Sequence, residues 1–351
     1  MQRRHFLTTL AAASVAPSVS WAEAGDARFL SAAQNADGSY ALYGLNAALD
    51  IAFAHPLPAR GHSGAAHPHR AEAVMFARRP GRFAYVLDCA TGVILNHLAP
   101  PEGRHFYGHG AFTADGTMLL TTESEYATGA GRIGLWDVAA GYVRTGEISS
   151  GGIGPHEIIR RSTGGFAIAN GGIRTHPDTG REKLNLDTMQ PNLTLLAEDL
   201  SELSRMTLGS QDRLNSIRHI AEGPQASVAI GMQWNGDLSI QRQPVAIVTA
   251  TGDVIRPTVP DGLIGRIQGY IGSIAADADS IVASAPRGSC ALTFHNDAMS
   301  GVIPAQDACG LASGSQGIVL SQGTGRITVP GTSQAQDHPV AWDNHMVAVH
   351  A

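Results

Sequence analysis

Gly61-His62 and Gly108-His109 stand 47 residues apart, and Pro155-His156 follows after another 47. Each pair opens the same pattern: a short polar stretch, a turn, and an apolar run about ten residues on. Those runs are Ala73-Val74-Met75-Phe76, Met118-Leu119-Leu120-Thr121 and Phe166-Ala167-Ile168-Ala169. Short aliphatic and β-branched runs bounded by Gly, Pro, Asp and Asn read as strands. A period of roughly 40–50 residues built from strands is that of a four-stranded propeller blade, which buries its faces only against neighbouring blades. Further units follow. Arg218-His219 leads to Val228-Ala229-Ile230, Tyr270-Ile271 to Ile281-Val282-Ala283, Cys309-Gly310 to Ile318-Val319-Leu320, and Asp337-His338 to Met346-Val347-Ala348-Val349. The expected fold is therefore all-β, a seven-bladed β-propeller with units opening near 62, 109, 156, 219, 271, 310 and 338.

The last unit runs out of chain after its second strand, while Ser39–Asn46 and Asp50–Pro56 read as strands without a unit of their own. Pairing the two termini in one shared blade closes the ring and leaves no sheet edge open. A sandwich or barrel accounts for the strands but not for the period. The interval from 156 to 219 exceeds 47 by 16 residues, and the excess falls in the polar loop 170–187. A loop this long in a compact repeat is functional or mobile. It carries Arg174, His176, Asp178, Arg181, Glu182, Lys183 and Asp187. The sixth unit is short and is expected to lack a full outer strand.

The chain opens with Arg3-Arg4 before Phe6-Leu7 and a short apolar stretch, ending in Ala-x-Ala-like triplets at Ser20-Trp21-Ala22 and Ala22-Glu23-Ala24. This pattern reads as a twin-arginine signal over residues 1–24, which places one mature domain, 25–351, in the periplasm. In that oxidising compartment Cys290 and Cys309 are close enough in sequence to bridge neighbouring strands or to stay free, and Cys89 reads as a buried small hydrophobe. With 24 Lys+Arg against 30 Asp+Glu, and no basic run beyond the first residues, a nucleic-acid partner is excluded. No apolar stretch is long enough to span a membrane. The chain is read as a monomer.

Five of the seven units place a histidine at their opening: His62, His109, His156, His219 and His338. First strands line the channel of a propeller, so equivalent positions face one another around it. Neutral imidazole is a metal ligand, and with Glu157 beside His156 the set suits iron, copper or zinc. Cys309 is a candidate for the sixth position, and Ile271 holds the fifth. The alternative is structural: Gly108-His109 with Leu135-Trp136-Asp137 is similar to a WD40 blade, whose histidine serves a hydrogen-bond network within the blade. His67, His69 and Arg70 form a second cluster in a turn. Arg104, in Arg104-His105-Phe106-Tyr107-Gly108-His109, is an anion-binding or turn-capping cation; with Arg174, His176 and Arg218 it completes the candidate cofactor-binding residues. Glu123 and Glu125 read as a solvated loop, and Gly151-Gly152-Ile153-Gly154 as a turn between blades. Nucleophile-elbow, phosphate-loop and haem-attachment motifs are absent.

The stretches Gly103–Gly110, Gly151–Glu157, Ala169–His176, Lys183–Met189, Ser216–His219 and Trp342-Asp343-Asn344-His345 resemble the bacterial DUF1513 proteins over nearly the whole mature chain. The resemblance implies an exported seven-bladed propeller in the neighbourhood of imelysin-type iron-uptake proteins and a dihaem peroxidase-like protein. It brings no catalytic residues. Three functions are consistent with these residues. One is an exported protein binding a metal or a metal-loaded partner, accessory to iron uptake. The others are a metalloenzyme or oxidoreductase using His109, His156 and His219 under the 170–187 loop, and a ligand-free interaction scaffold.

Overall fold

Seven antiparallel sheets of four strands each are arranged as the blades of a propeller. The structure is a computed structural model and describes residues 19–78, 83–180 and 182–349; the Arg3-Arg4 signal lies outside them. The inner strands, in ring order, are Gly61–Ala66, Arg104–Phe112, Pro155–Arg160, Asn215–Glu222, Ser273–Ala276, Ala308–Gly314 and Val340–Ala348. They open blades 1 to 7. In blades 1 to 6 the chain then meanders outward through three more strands.

Middle strands are covered on both faces by adjacent blades, so the alternation of a half-exposed strand is lost. Phe166–Asn170 is buried at all five positions, and Val74 and Phe76 of blade 1 pack with Phe106, Leu119 and Trp136 of blade 2. This double burial explains why the second strand of every unit stood out as a continuous apolar run. Outer strands such as Glu202–Thr207 are mostly exposed and carry the charges that discourage edge pairing.

The ring closes through blade 7, whose inner strand Val340–Ala348 pairs with Phe29–Asn35, followed by Tyr40–Leu45 and Ile51–Leu57. The terminal strands therefore divide one from the C-terminus and three from the N-terminus, and Phe29–Asn35 was not foreseen. Asp337-His338 does not open blade 7. Ala335–Asp337 is the outermost strand of blade 6, behind Gly317–Gln322 and Arg326–Thr328, so blade 6 has all four strands. Its outer pair spans only three residues each, which is why it looked incomplete.

Part of the stretch read as signal packs on the propeller. Trp21 is 3% exposed and joins Leu30, Leu42 and Met75 in the core between blades 7 and 1. Its Nε1 donates to the His67 carbonyl (3.0 Å). Cys89, Cys290 and Cys309 are all free and buried, so Cys290 and Cys309 do not bridge. Burial raises each thiol, Cys309 to about 12.

Candidate metal centre

Six of the seven inner strands carry a bulge or register shift near the same height. Pairing breaks between Gly61 and Gly64, Phe106 and Gly110, Pro155 and Glu157, Ile217 and His219, Ala308 and Leu311, and at the Asp343–His345 stretch of Val340–Ala348. A bulge frees residues from the ladder and re-aims their side chains. Hydroxyls of nearby strands accommodate some of the released carbonyls. Thr122 Oγ1 donates to the His109 carbonyl (3.1 Å), Ser31 Oγ to that of His345 (2.8 Å) and Ser284 Oγ to that of Cys309 (2.6 Å). Gly108 is required for a different reason: its φ is +103°, and a Cβ there would collide with the His62 ring.

The result is a knot of five imidazoles in the channel: His62, His109, His156, His219 and His345. Ring centroids lie 4.5 Å apart for His62 and His345, 4.7 Å for His109 and His345, 4.8 Å for His109 and His156, and 4.9 Å for His156 and His219. Glu157 joins them, one oxygen 3.5 Å from His109 Nδ1 and the other 3.5 Å from His219 Nδ1. The second oxygen also accepts from the Ile220 backbone N–H (2.9 Å), which fixes the carboxylate. Ligand atoms of His62, His109 and His156 lie within 4.8 Å of one another, as do those of His109, Glu157 and His345.

Electrostatics favour lone pairs over protons here. Burial holds His62, His156 and His345 well below the ordinary imidazole value, with neighbouring positive charge adding to it. His219 is lowered by burial against the pull of Glu157. Burial pushes the Glu157 carboxyl up, but His109 and His219 together outweigh it and leave it below the usual carboxylate range. His156 Nδ1 is 2.9 Å from the Arg218 carbonyl, which can only accept; Nδ1 therefore carries the hydrogen and Nε2 keeps its lone pair. Orienting one ring nitrogen with a carbonyl or carboxylate while the other stays available is the usual support of a ligating histidine. His62 Nδ1 and His109 Nε2 are buried without a hydrogen-bond partner among the described residues.

The knot stands between two cavities. One, of about 590 Å³, is bordered by His109, Glu157 and His345 together with Arg160, Arg161 and Glu222. The other, of about 330 Å³, is bordered by His62, His156, His219 and His345, with Arg78, Lys183, Arg218 and Arg287 around them. The 170–187 loop supplies Ile173, Thr175 and Lys183 to this second wall. Its base is tied down: Asn185 accepts from the Arg174 N–H (2.7 Å) and donates to the Gly172 carbonyl (2.9 Å), and Tyr107 donates to the Ile173 carbonyl (3.0 Å).

His62, His109, His156, Glu157 and His219 thus come together as the repeat implied, whereas His338 does not join them. Its Nε2 lies 3.0 Å from the Leu49 carbonyl and its ring packs edge-on against Trp342, behind the blade. His345 takes its place. Within blade 2, Trp136 Nε1 donates to Thr121 Oγ1 (2.9 Å), whereas the His109 side chain faces Glu157 of the next blade. Cys309 is buried, at 2% exposure, and is not among the residues that converge in the knot.

Of the cofactor-binding candidates, only Arg218 borders the channel. Arg104 pairs with Glu147 and approaches Glu123 and Glu125 (3.6 Å each) on blade 2. Glu123 is fully buried in the strand Met118–Glu125, so it is not on a solvated loop; Arg144 (3.0 Å) is its closest cation. Arg174 donates to the Tyr126 and Ala127 carbonyls, and His176 lies 3.5 Å from Asp178 and edge-on to Tyr126. His67 spends Nδ1 on the N–H groups of His69 and Arg70 and Nε2 on the Gly116 carbonyl, making a turn rather than a ligand set.

Fold and site together define a seven-bladed propeller whose channel is crossed by a histidine–carboxylate knot. The chain matches the family described as "Protein of unknown function (DUF1513)" over residues 55–349, and it belongs to that family. A search of curated proteins finds no match. Among solved structures, it is similar to hydrazine synthase of Kuenenia stuttgartiensis at 10% identity and TM-score 0.64, covering 93% of this chain and 100% of that one. It is also similar to the WD40 β-propeller domain of Doa1 at 11% identity and TM-score 0.55, covering 85% and 87%. A chain of a nidogen/laminin complex aligns at 10% identity and TM-score 0.51, covering 92% and 98%. At these identities the likeness is one of fold.

Proposed function

We propose that this propeller binds one transition-metal ion at the histidine knot, with His62, His109 and His156 as a three-nitrogen face and Glu157 and His345 beside it. The observation that carries the reading is the convergence of buried imidazoles on a carboxylate held in its charged form, with His62, His156 and His345 kept neutral by burial and with unpartnered nitrogens at His62 and His109. A buried acceptor left unsatisfied costs about 1–3 kcal/mol. A cation removes that cost at several nitrogens at once, which no single protein donor in the channel does. Donors around one ion stand about 3–4 Å apart; small side-chain rotations bring separations of up to 4.8 Å into that range. Imidazole with carboxylate suits iron, copper or zinc.

Placed in the periplasm by the amino-terminal sequence, such a protein serves iron acquisition as a metal-binding accessory, the role implied by the family resemblance. Imelysin-like and dihaem peroxidase-like proteins are the partners that resemblance names. The test is titration of metal-free protein with Fe(II), Cu(II) and Zn(II). One equivalent should bind tightly and be lost in a folded His109→Ala, His156→Ala double variant. Absence of saturable binding by all three ions would overturn the reading.

A further inference from the structure

The two cavities beside the knot differ in charge. The larger one has Glu157 and Glu222 among its borders together with Arg160 and Arg161. No Asp or Glu borders the smaller one among the described residues, yet Arg78, Lys183, Arg218 and Arg287 do. Arg78 is neutralised from behind by Asp343 (2.9 Å). Lys183 and Arg287 have no carboxylate partner among the described residues. The Arg287 guanidinium lies 4.2 Å over the Tyr270 ring, which holds the cation at the cavity wall. Lys183 reaches the cavity wall from the 170–187 loop, whose base is pinned by Asn185, and its ammonium is depressed by burial and by the charges of Arg218 and Arg287. Like charges gathered in one concavity repel one another, and an anion relieves that repulsion.

We propose that this basic vestibule binds a small oxyanion carrying carboxylate or phosphate groups, seated between Lys183, Arg218 and Arg287, with its inner end toward His62 and His156. Arginine forks fit both oxyanions, and lysine adds a point charge. A cavity of about 330 Å³ admits a molecule of citrate size but not a polymer chain. The proposal rests on the metal-centre reading only for the inner end, where the anion would meet the bound ion. The cationic seat is present without metal. In functional terms the chain would take its metal as an anionic chelate, or hold a metal and an anion together.

Calorimetric titration with citrate and, separately, with inorganic phosphate tests this on the full-length mature protein, metal-free and metal-loaded. Saturable binding to the metal-free protein is expected, weakened at least tenfold in Lys183→Gln and Arg287→Gln variants whose circular dichroism and metal stoichiometry match the parent. Citrate binding without phosphate binding would mark a carboxylate ligand, and the reverse a phosphate ligand. Either result supports the seat. Absence of binding by both anions to both forms at millimolar concentration would overturn it, as would binding that the two variants leave unchanged. If metal fails to bind while the anions do, the metal centre falls and the anion seat stands.

Discussion

Replacing Glu157 by Gln isolates the charge at the knot from its shape. Glutamine keeps the side-chain volume and an oxygen to accept from Ile220 N–H (2.9 Å), so the local backbone bond survives. The substitution removes the negative charge that lies 3.5 Å from both His109 Nδ1 and His219 Nδ1. A carboxylate that ligates, or that orients ligating histidines, is typically worth about 10–100-fold in metal affinity, or about 1.4–2.8 kcal/mol. Competition against a chelator of known affinity at neutral pH should therefore show Glu157→Gln weaker by that factor. A melt of the metal-free protein run alongside should show a loss no larger than the roughly 1.5–3 kcal/mol assigned to hydrogen bonds with a charged group, because one bond is kept. Unchanged affinity in a folded variant would refute the reasoning: Glu157 would then be a structural carboxylate, and the histidines could not be reading its charge.

Gly108→Ala must adopt a φ of +103° and drive a methyl into the His62 ring; the left-handed backbone costs about 1–2 kcal/mol and overpacking about 1–3. A thermal melt should register the sum, and an unshifted midpoint would mean that the bulge can reorganise freely. His338→Ala should leave metal stoichiometry at the parental value and cost about 1 kcal/mol through the lost bond to Leu49; loss of metal would return His338 to the site. Burial lowers His67 to about 4 in the fold, below its unfolded value near 6.5, so the native chain binds fewer protons than the unfolded one between those values. Its contribution is complete above about 6.5 and declines as pH falls to about 4, so the stability gap between parent and His67→Gln should narrow over that window. A gap independent of pH would contradict the neutral turn.

The repeat was legible because the first four units carry a histidine at the channel strand, and because every second strand is buried on both faces. That reasoning located His62, His109, His156 and His219 together with Glu157. It failed at the seam. Blade 7 takes only Val340–Ala348 from the C-terminal part of the chain, so its histidine cannot be recognised by an apolar run following in sequence. Asp337-His338, followed at the right distance by Met346–Val349, imitated the pattern. The tetrapeptide Trp342-Asp343-Asn344-His345 was in view as a family-like stretch, and its Asp343, clamped by Arg60 (2.6 Å) and Arg78, is the signal that the following residues are held in place. The bulges that aim the rings leave no mark in composition, since each is a mismatch between two strands rather than a property of one. Arg104 illustrates the reverse case: a cation beside the channel motif whose partners, Glu123 and Glu147, come from strands that the local sequence does not bring together.

The most direct test is the metal content of untagged protein recovered from its native compartment, measured by mass spectrometry beside the His109→Ala, His156→Ala variant. Near-stoichiometric iron, copper or zinc in the parent, absent from the still-folded variant, is the result this account predicts. Equal, negligible metal in both would contradict it and make the histidine knot a structural plug of the channel.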